Sequence, residues 1–453
     1  MTAEAVLSAP IPRARRTREV WALALPIIGA MSSQNVLNIV DAAMVGHLGA
    51  AASAAVGLAF MANFVAFSTI TGLSTAVQAM AARRYGEGRL AETAVPLNGG
   101  IVLSLAIGVP LSLLLILAAP WVFRHLDHDP EVVRLGTSYL QCRLAGIAAI
   151  GINFSFRGYW SAVRRTGLYL ATLFGICCLN ILLDWLLIYG HAGLPALGVR
   201  GAGVASVSAA ACGTLAYFAF GWRYARGAGF FTRLPSTAQL KDLLRLGLPT
   251  CLQQLLFSSG FLILFWIVGH IGTAELAAGN ALVTISLTAI LPAMGFGLAS
   301  ATFCGQALGR GDAEDAYRWA WDVFRASWWV FAAMALPMLL LAGPILGAFF
   351  GEAGAGVVAI GAPPLRLVGA AVVLDGLGFV IMQSLLGVGA SRAVMLVTVG
   401  LQWGLFLPLA YLLGVVLVTG LMSVWVAMVA YRLLQTASLV WIWKRRRWAG
   451  IRV

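Results

Sequence analysis

Three carboxylates lie deep inside apolar runs of this chain. Asp41 sits in "NVLNIVDAAMVG", Asp184 in "LNILLDWLLIYG" and Asp375 in "VVLDGLGFVIMQ". An ionised carboxylate in the middle of a hydrocarbon layer costs about 2.5–3.5 kcal/mol on insertion scales. Such groups are kept for function more often than for architecture, and their neighbours suggest which function. Gln34, Asn38 and Asp41 recur at i, i+4 and i+7, one stripe of a helix. Asn180 and Asp184 stand at i and i+4, again on one face. If the two stripes face each other, Asp41, Asn180 and Asp184 make one site. The hydroxyl of Ser206, in "GAGVASVSA", would be a fourth member.

Two carboxylates in a poorly solvated site resist carrying two negative charges. A proton relieves them. So does Na+, a hard cation that prefers oxygen ligands. The residue types point to a site that loads and releases a small cation, and they leave H+ and Na+ open. Asp375, followed by glycines and Gln383, is expected on a cavity wall facing a cationic substrate, with local helix packing as the alternative. Asp322 lies nearer a helix start, where an acid also suits the helix dipole.

The elements that must carry these residues are membrane spans. Of the 453 residues 60% are hydrophobic and 10% charged, with mean hydropathy +0.89. A soluble chain of this size cannot bury so much apolar surface. Runs of about 20 apolar residues predict twelve spans: 20–46, 53–81, 94–123, 133–155, 166–189, 201–223, 244–270, 275–304, 320–349, 356–388, 392–415 and 418–443. The first run is too long for a signal-peptide core. The fold class expected is an all-α polytopic membrane protein.

The net charge of +13 would suggest nucleic acid if it were not segregated. Arginines instead gather in alternate connections, among them Arg83, Arg84 and Arg89, then Arg157, Arg164 and Arg165, then 224–243, then the terminal "KRRR". This pattern predicts both termini on the cytoplasmic side of a cell membrane. The division expected is a tail at 1–19, a first lobe at 20–223, a linker at 224–243, a second lobe at 244–443 and a basic tail at 444–453.

The halves are a repeat. A shift of 223 residues lays "LALP" (Leu23–Pro26) on "LGLP" (Leu246–Pro249) and "VGHLG" (Val45–Gly49) on "VGHIG" (Val268–Gly272). It lays Gly72 on Gly295, Gly88 on Gly311, and Arg143 on Arg366. Each half holds an even number of spans, so the repeats are parallel, and two bundles facing across the axis can enclose a cavity and rock to give alternating access. The repeat also supplies a control. Asp41 lands on Leu264 and Asp184 on Leu407, so the scaffold itself does not require the acids.

Other polar residues read as architecture. Arg143 and Arg366 are expected to bond helix-end carbonyls or snorkel outward. Pro26 and Pro249 are tolerated early in helices and come second as hinges. The six cysteines lie in apolar segments without a metal or CxxC spacing and read as reduced packing residues. "RHLDHDPE" (Arg124–Glu131) reads as a solvated helix cap ahead of a metal site. No metal is expected beyond Na+ at Asp41, Asn180 and Asp184, and no cofactor besides the coupling ion.

Almost the whole chain resembles the multidrug and toxic compound extrusion (MATE) transporters. The resemblance rests on "LALPIIGAMSSQNVLNIVDAAMVGHLG" followed by "GLSTAVQAMAARRYGEGR", on the echo ending "GFGLASATFCGQALGRGD", and on "FRGYWSAVRRTG" after the fourth span. The run "LNILLDWLLIYG…GVRGAGVASV" is most similar to the DinF branch. The resemblance implies a V-shaped fold of two six-helix lobes. It implies export of organic, often cationic or amphipathic, compounds in exchange for H+ or Na+. In the DinF branch the ion site lies in the first lobe, and its residues match Asp41, Asn180 and Asp184, with Ser206 where relatives often have threonine. The NorM branch carries a glutamate in span seven. The equivalent position here is Phe257, with Gln253 and Gln254 nearby as polar cavity residues, so a second-lobe ion site of that kind is not expected. Asp375 resembles an aspartate that the NorM branch uses in span ten.

The function expected is a secondary antiporter of small organic compounds, working as a monomer in the bilayer without nucleic acid. A lipid or lipid-linked sugar flippase of the same superfamily is the alternative; it would favour a basic cavity. An enzyme is not expected, because no nucleophile motif, metal cluster or catalytic loop is present.

Overall fold

The structure is a computed structural model that describes residues 13–351 and 354–451. Most of the N-terminal tail and Arg452, counted above with the basic tail, lie outside the described residues. The first half consists of α1 (Arg13–Gly46), α2 (Ala50–Gly86), α3 (Val95–Leu126), α4 (Pro130–Ala145), α5 (Ile147–Ala162), α6 (Thr166–Tyr189) and α7 (Val199–Tyr224). The second consists of α8 (Thr237–Ile271), α9 (Thr273–Gly309), α10 (Ala313–Leu340), α11 (Ala342–Phe350), α12 (Ala355–Gly387), α13 (Ser391–Leu401), α14 (Leu407–Tyr411) and α15 (Leu421–Arg445). Two π-type turns tie α13 to α14 and extend α14 to Val416.

Among the described residues eleven segments are long and apolar enough to cross a membrane. The fourth of the twelve expected crossings is not among them, because it is divided into two short helices, α4 and α5, at Gly146. Its repeat partner α12 is continuous across Gly369. The end of the expected linker 224–243 is helical. The Ser236 hydroxyl accepts from the Gln239 N–H while the Gln239 side chain accepts from the Ser236 N–H, so α8 begins by residue 237. Residues 13–19, placed with the tail, are already helical in α1.

Each half has its own apolar core, and one helix of each half changes core along its length. Val20, Leu23 and Ala24 of α1 pack in the second-half core, whereas Ile27, Ala30 and Val45 pack in the first-half core. In α8 the order is reversed. Leu243 and Leu246 join the first-half core, while Leu264, Ile267 and Val268 join the second. Pro26 and Pro249 stand at these crossovers, where a missing N–H donor loosens the helix.

The halves seal together at the end that bears the arginines. Gln78 donates to the Leu298 carbonyl at 2.8 Å and to the Thr302 hydroxyl at 3.0 Å. Gln306 donates to the Ala162 carbonyl at 2.8 Å and accepts from Arg164 Nε at 2.8 Å. Arg16 bridges to Asp315 and, at 2.9 Å, to Asp322. Backbones touch where α2 and α9 end. A Cβ on Gly86 would lie 2.0 Å from the Gln306 carbonyl oxygen, and one on Gly309 would lie 2.2 Å from that of Arg83. Toward the other end of α2 the space opens, and a Cβ on Gly49 or Gly57 would meet nothing within 4 Å.

The glycine contrast is testable. Gly86→Ala drives a methyl into backbone that cannot swing aside and is expected to lower stability in detergent by about 1–3 kcal/mol. Gly57→Ala, in open space on the same helix, is expected to gain about 0.5–1 kcal/mol from the alanine preference of helices. Thermal melts of the two purified variants measure both signs. Equal melting temperatures would contradict the seam described here.

Candidate functional site

The site is assembled by three helices of the first half. Helix α1 packs along α6, which lets their polar stripes meet. Asp41 from α1 and Asp184 from α6 are near neighbours that act on one another electrostatically. Asn180, one turn before Asp184, donates from Nδ2 to Asp184 Oδ2 at 2.6 Å. Asp184 is fully buried and Asn180 is nearly so. Asp41 Oδ1 and Asp184 Oδ1 are both buried without a hydrogen-bond donor among the described residues. Buried oxygens of two neighbouring carboxylates, left without donors, want a proton or a cation.

Helix α4 supplies the third wall. Arg143 lies close enough to act electrostatically on both acids, and Tyr139 shares the same neighbourhood. The guanidinium sits 5.7 Å from the Phe67 ring centre, and its Nε is buried without an acceptor. The sequence reading gave Arg143 and Arg366 a shared structural role. The structure separates them, since Arg143 is half-buried beside the acids while Arg366 is exposed. Equal repeat positions hid the difference, because the acids that recruit Arg143 have no counterpart in the second half.

The remaining expected residues fall elsewhere. Ser206 is buried on α7, but no hydrogen bond joins it to either acid among the described residues. Gln34 donates to Asn38 at 3.3 Å on the accessible side of α1, one and two turns from Asp41. Gln253 is buried on α8 and donates to the Met382 sulfur at 3.6 Å, with its carbonyl oxygen unpartnered. Gln254 is half-buried beside it.

Asp375, expected on a cavity wall with local helix packing as the alternative, has a basic partner within the second half. It pairs with Arg432 of α15 at 3.3 Å, next to a small internal void of about 10 Å³ lined by Ser286, Phe331 and Val372. Arg432 was missed by sequence reading, although a lone arginine inside the last span is the signal that would have found it. A second missed feature is Asn280, Thr284 and Thr288, a polar stripe on α9 with each side chain exposed. Each donates to the carbonyl four residues earlier, so none stands out by charge. At "RHLDHDPE" the Asp129 side chain accepts from the Glu131 N–H at 2.8 Å and caps α4.

Comparison with known proteins agrees with this arrangement. The MatE family model matches twice, over residues 26–186 and 249–412, and the two matches start at the same 223-residue offset as the repeat. The probable multidrug resistance protein NorM of Agrobacterium fabrum is 29% identical over 418 residues, covering 89% of this chain and 88% of the relative. The NorM protein of Rhodopseudomonas palustris is 30% identical over 434 residues, covering 94% and 90%. Among solved structures, an outward-facing conformation of a multidrug resistance MATE family transporter matches with a TM-score of 0.88 at 23% identity, covering 96% of this chain and 97% of that one. A MOP superfamily transporter from Pyrococcus furiosus, described as having a binding pocket of reverse polarity, matches with a TM-score of 0.86 at 23% identity, covering 96% and 97%. With two matched halves spanning most of its length, the chain belongs to the MatE family of multidrug efflux transporters and is a multi-pass membrane transporter rather than an enzyme.

Proposed function

We propose that this chain exports small organic compounds, cationic or amphipathic ones among them, in exchange for H+ or Na+ held in the first half by Asp41, Asp184 and Asn180. The observation that carries the reading is the nearness of Asp41 and Asp184, each with a buried oxygen that lacks a donor. A cation entering between them cancels the repulsion and the cost of burial. The site then loses its charge, and the conformer that buries it becomes favourable. Arg143 sets the resting balance by opposing part of the negative charge. Substrate and cation must favour different conformers for exchange to be coupled. The membrane potential contributes about 2.3 kcal/mol per charge per 100 mV, enough for export against a steep gradient.

Alternating access in this reading turns on the two helices that change core. The arginine-bearing end is sealed, which fits an outward-facing conformer with both termini in the cytoplasm. The polar wall of the cleft is drawn from Gln34, Asn38, Gln254 and the stripe Asn280, Thr284 and Thr288. The Asn180–Asp184 pair favours the DinF-like branch, and the chain is read as working as a monomer. Asp375 serves the second half as a structural partner of Arg432, not as the substrate contact.

Proteoliposome transport tests the cation site. With an imposed proton or sodium gradient, Asp41→Asn and Asp184→Asn are each expected to lower gradient-driven export of a fluorescent organic cation at least tenfold, with binding of that cation in detergent largely kept. Export at wild-type rates by both variants, under both gradients, would remove the proposal.

The second-half pair makes a separate prediction. Asp375→Asn leaves the half-buried Arg432 without its partner and is expected to cost about 1–3 kcal/mol of stability. The double variant Asp375→Asn with Arg432→Gln is expected to recover most of it, read as melting temperature. A stable single variant with a weakened affinity for cationic substrates would return Asp375 to the cavity wall.

A further inference from the structure

A pocket of about 460 Å³ lies at the arginine-bearing end, between the start of α1 and the first turns of α10. Its lining is Arg13, Arg16, Tyr317, Arg318, Trp321, Asp322 and Arg325. The transport cycle described above uses none of these residues. Their chemistry is that of an anion site. Asp322 is the only carboxylate of the lining and is already shared by Arg16 at 2.9 Å and Arg325 at 3.5 Å. Arg16 also bonds Asp315, and Arg318 bonds Glu314 at 3.1 Å. Those two acids are further engaged by Arg310 at 2.8 Å and Arg446 at 2.6 Å. Six arginines thus face three carboxylates, and the surplus is positive. The side chains of Arg318 and Arg325 stay more than half exposed. Tyr317 and Trp321 complete the lining as aromatic walls beside the guanidinium groups.

Depth says where the anion comes from. Helix α1 has 34 residues and spans about 51 Å at 1.5 Å per residue, well beyond a hydrocarbon core of about 30 Å. Its first turns therefore stand at the level of the lipid head groups. On α10, Trp328 and Trp329 follow the pocket residues and are each 51% exposed, which is the aromatic belt expected at a membrane interface. A positively charged pocket directly outside such a belt, on the face where the basic connections gather, meets the anionic lipid of that leaflet. The pocket volume falls within the usual range for a small ligand, about 300–1,000 Å³.

We propose that this pocket binds the phosphate group of an anionic membrane lipid. The phosphate oxygens take the Arg13, Arg318 and Arg325 guanidinium groups as donors. The two walls come from different halves of the chain, so an occupied pocket also holds the sealed end together.

The test uses the full chain in nanodiscs. Lipid retained by the protein is measured by native mass spectrometry, with phosphatidylglycerol titrated into phosphatidylcholine. Wild type is expected to retain phosphatidylglycerol in preference to phosphatidylcholine. The double variant Arg318→Gln with Arg325→Gln is expected to bind it about thirtyfold more weakly, at about fivefold for each basic residue near an anionic surface. Arg318→Lys with Arg325→Lys keeps the charge and most of the binding, which separates loss of the site from loss of the fold. Arg226→Gln removes an exposed arginine that stacks on Trp222 far along the sequence from this pocket, and is expected to leave binding unchanged. Equal phosphatidylglycerol binding by wild type and the glutamine double variant would overturn the proposal. So would saturation of the pocket by glycerol phosphate in pure phosphatidylcholine nanodiscs, which would assign it to a soluble anion.

Discussion

The cost of holding a charge away from water governs this molecule. In an apolar bundle a carboxylate needs a partner, and the chain supplies partners in two different ways. In the first half Asp41 and Asp184 are near neighbours, with Asn180 bonded to one and Arg143 near both. The balance there is incomplete, since each acid keeps a buried oxygen without a donor. In the second half Asp375 meets Arg432 one to one, and the pair needs nothing more. An unfinished balance suits a site that exchanges a cation, and a finished one suits architecture.

The two arrangements do not occupy equivalent positions in the repeat. Asp41 and Asp184 correspond to Leu264 and Leu407 of the second half, which are buried among apolar neighbours. Asp375 and Arg432 correspond to Ile152 and Ala209 of the first half, also buried. One backbone plan therefore accepts acids or aliphatic residues at the same places. Chemistry has been added to each half separately, while the glycines and prolines that shape the helices recur in both. Gly88 and Gly311, which close α2 and α9 with φ of +75° and +80°, show the shared part of the plan, because only glycine takes that conformation without strain.

The paired acids and the sealed end are joined by a single helix. Beyond Pro26, α1 belongs to the first-half core and carries Asp41. Before Pro26 it belongs to the second-half core and carries Arg16, which is bonded to Asp315 and Asp322. Helix α8 makes the reverse crossing at Pro249. Each half therefore holds one end of a helix whose other end lies in its neighbour. Asp41 and the seam therefore share one continuous element.

Much of this was legible in the sequence. Helical spacing alone grouped Gln34, Asn38 and Asp41, and it grouped Asn180 with Asp184, because a helix repeats its face every three to four residues. The 223-residue offset was legible because equal spacing of glycines, prolines and a histidine survives divergence elsewhere. Membrane class followed from hydropathy, since lipid leaves a spanning chain few alternatives to the helix. What only the tertiary structure decided is which stripes meet. That depends on how helices distant in sequence are rotated against each other. It placed Arg143 beside the acids and left Arg366 exposed, gave Arg432 to Asp375, and set Arg16 across the seam. No spacing along one helix encodes these contacts, because each is fixed by the packing of two helices, and packing answers to shape and volume summed over many side chains.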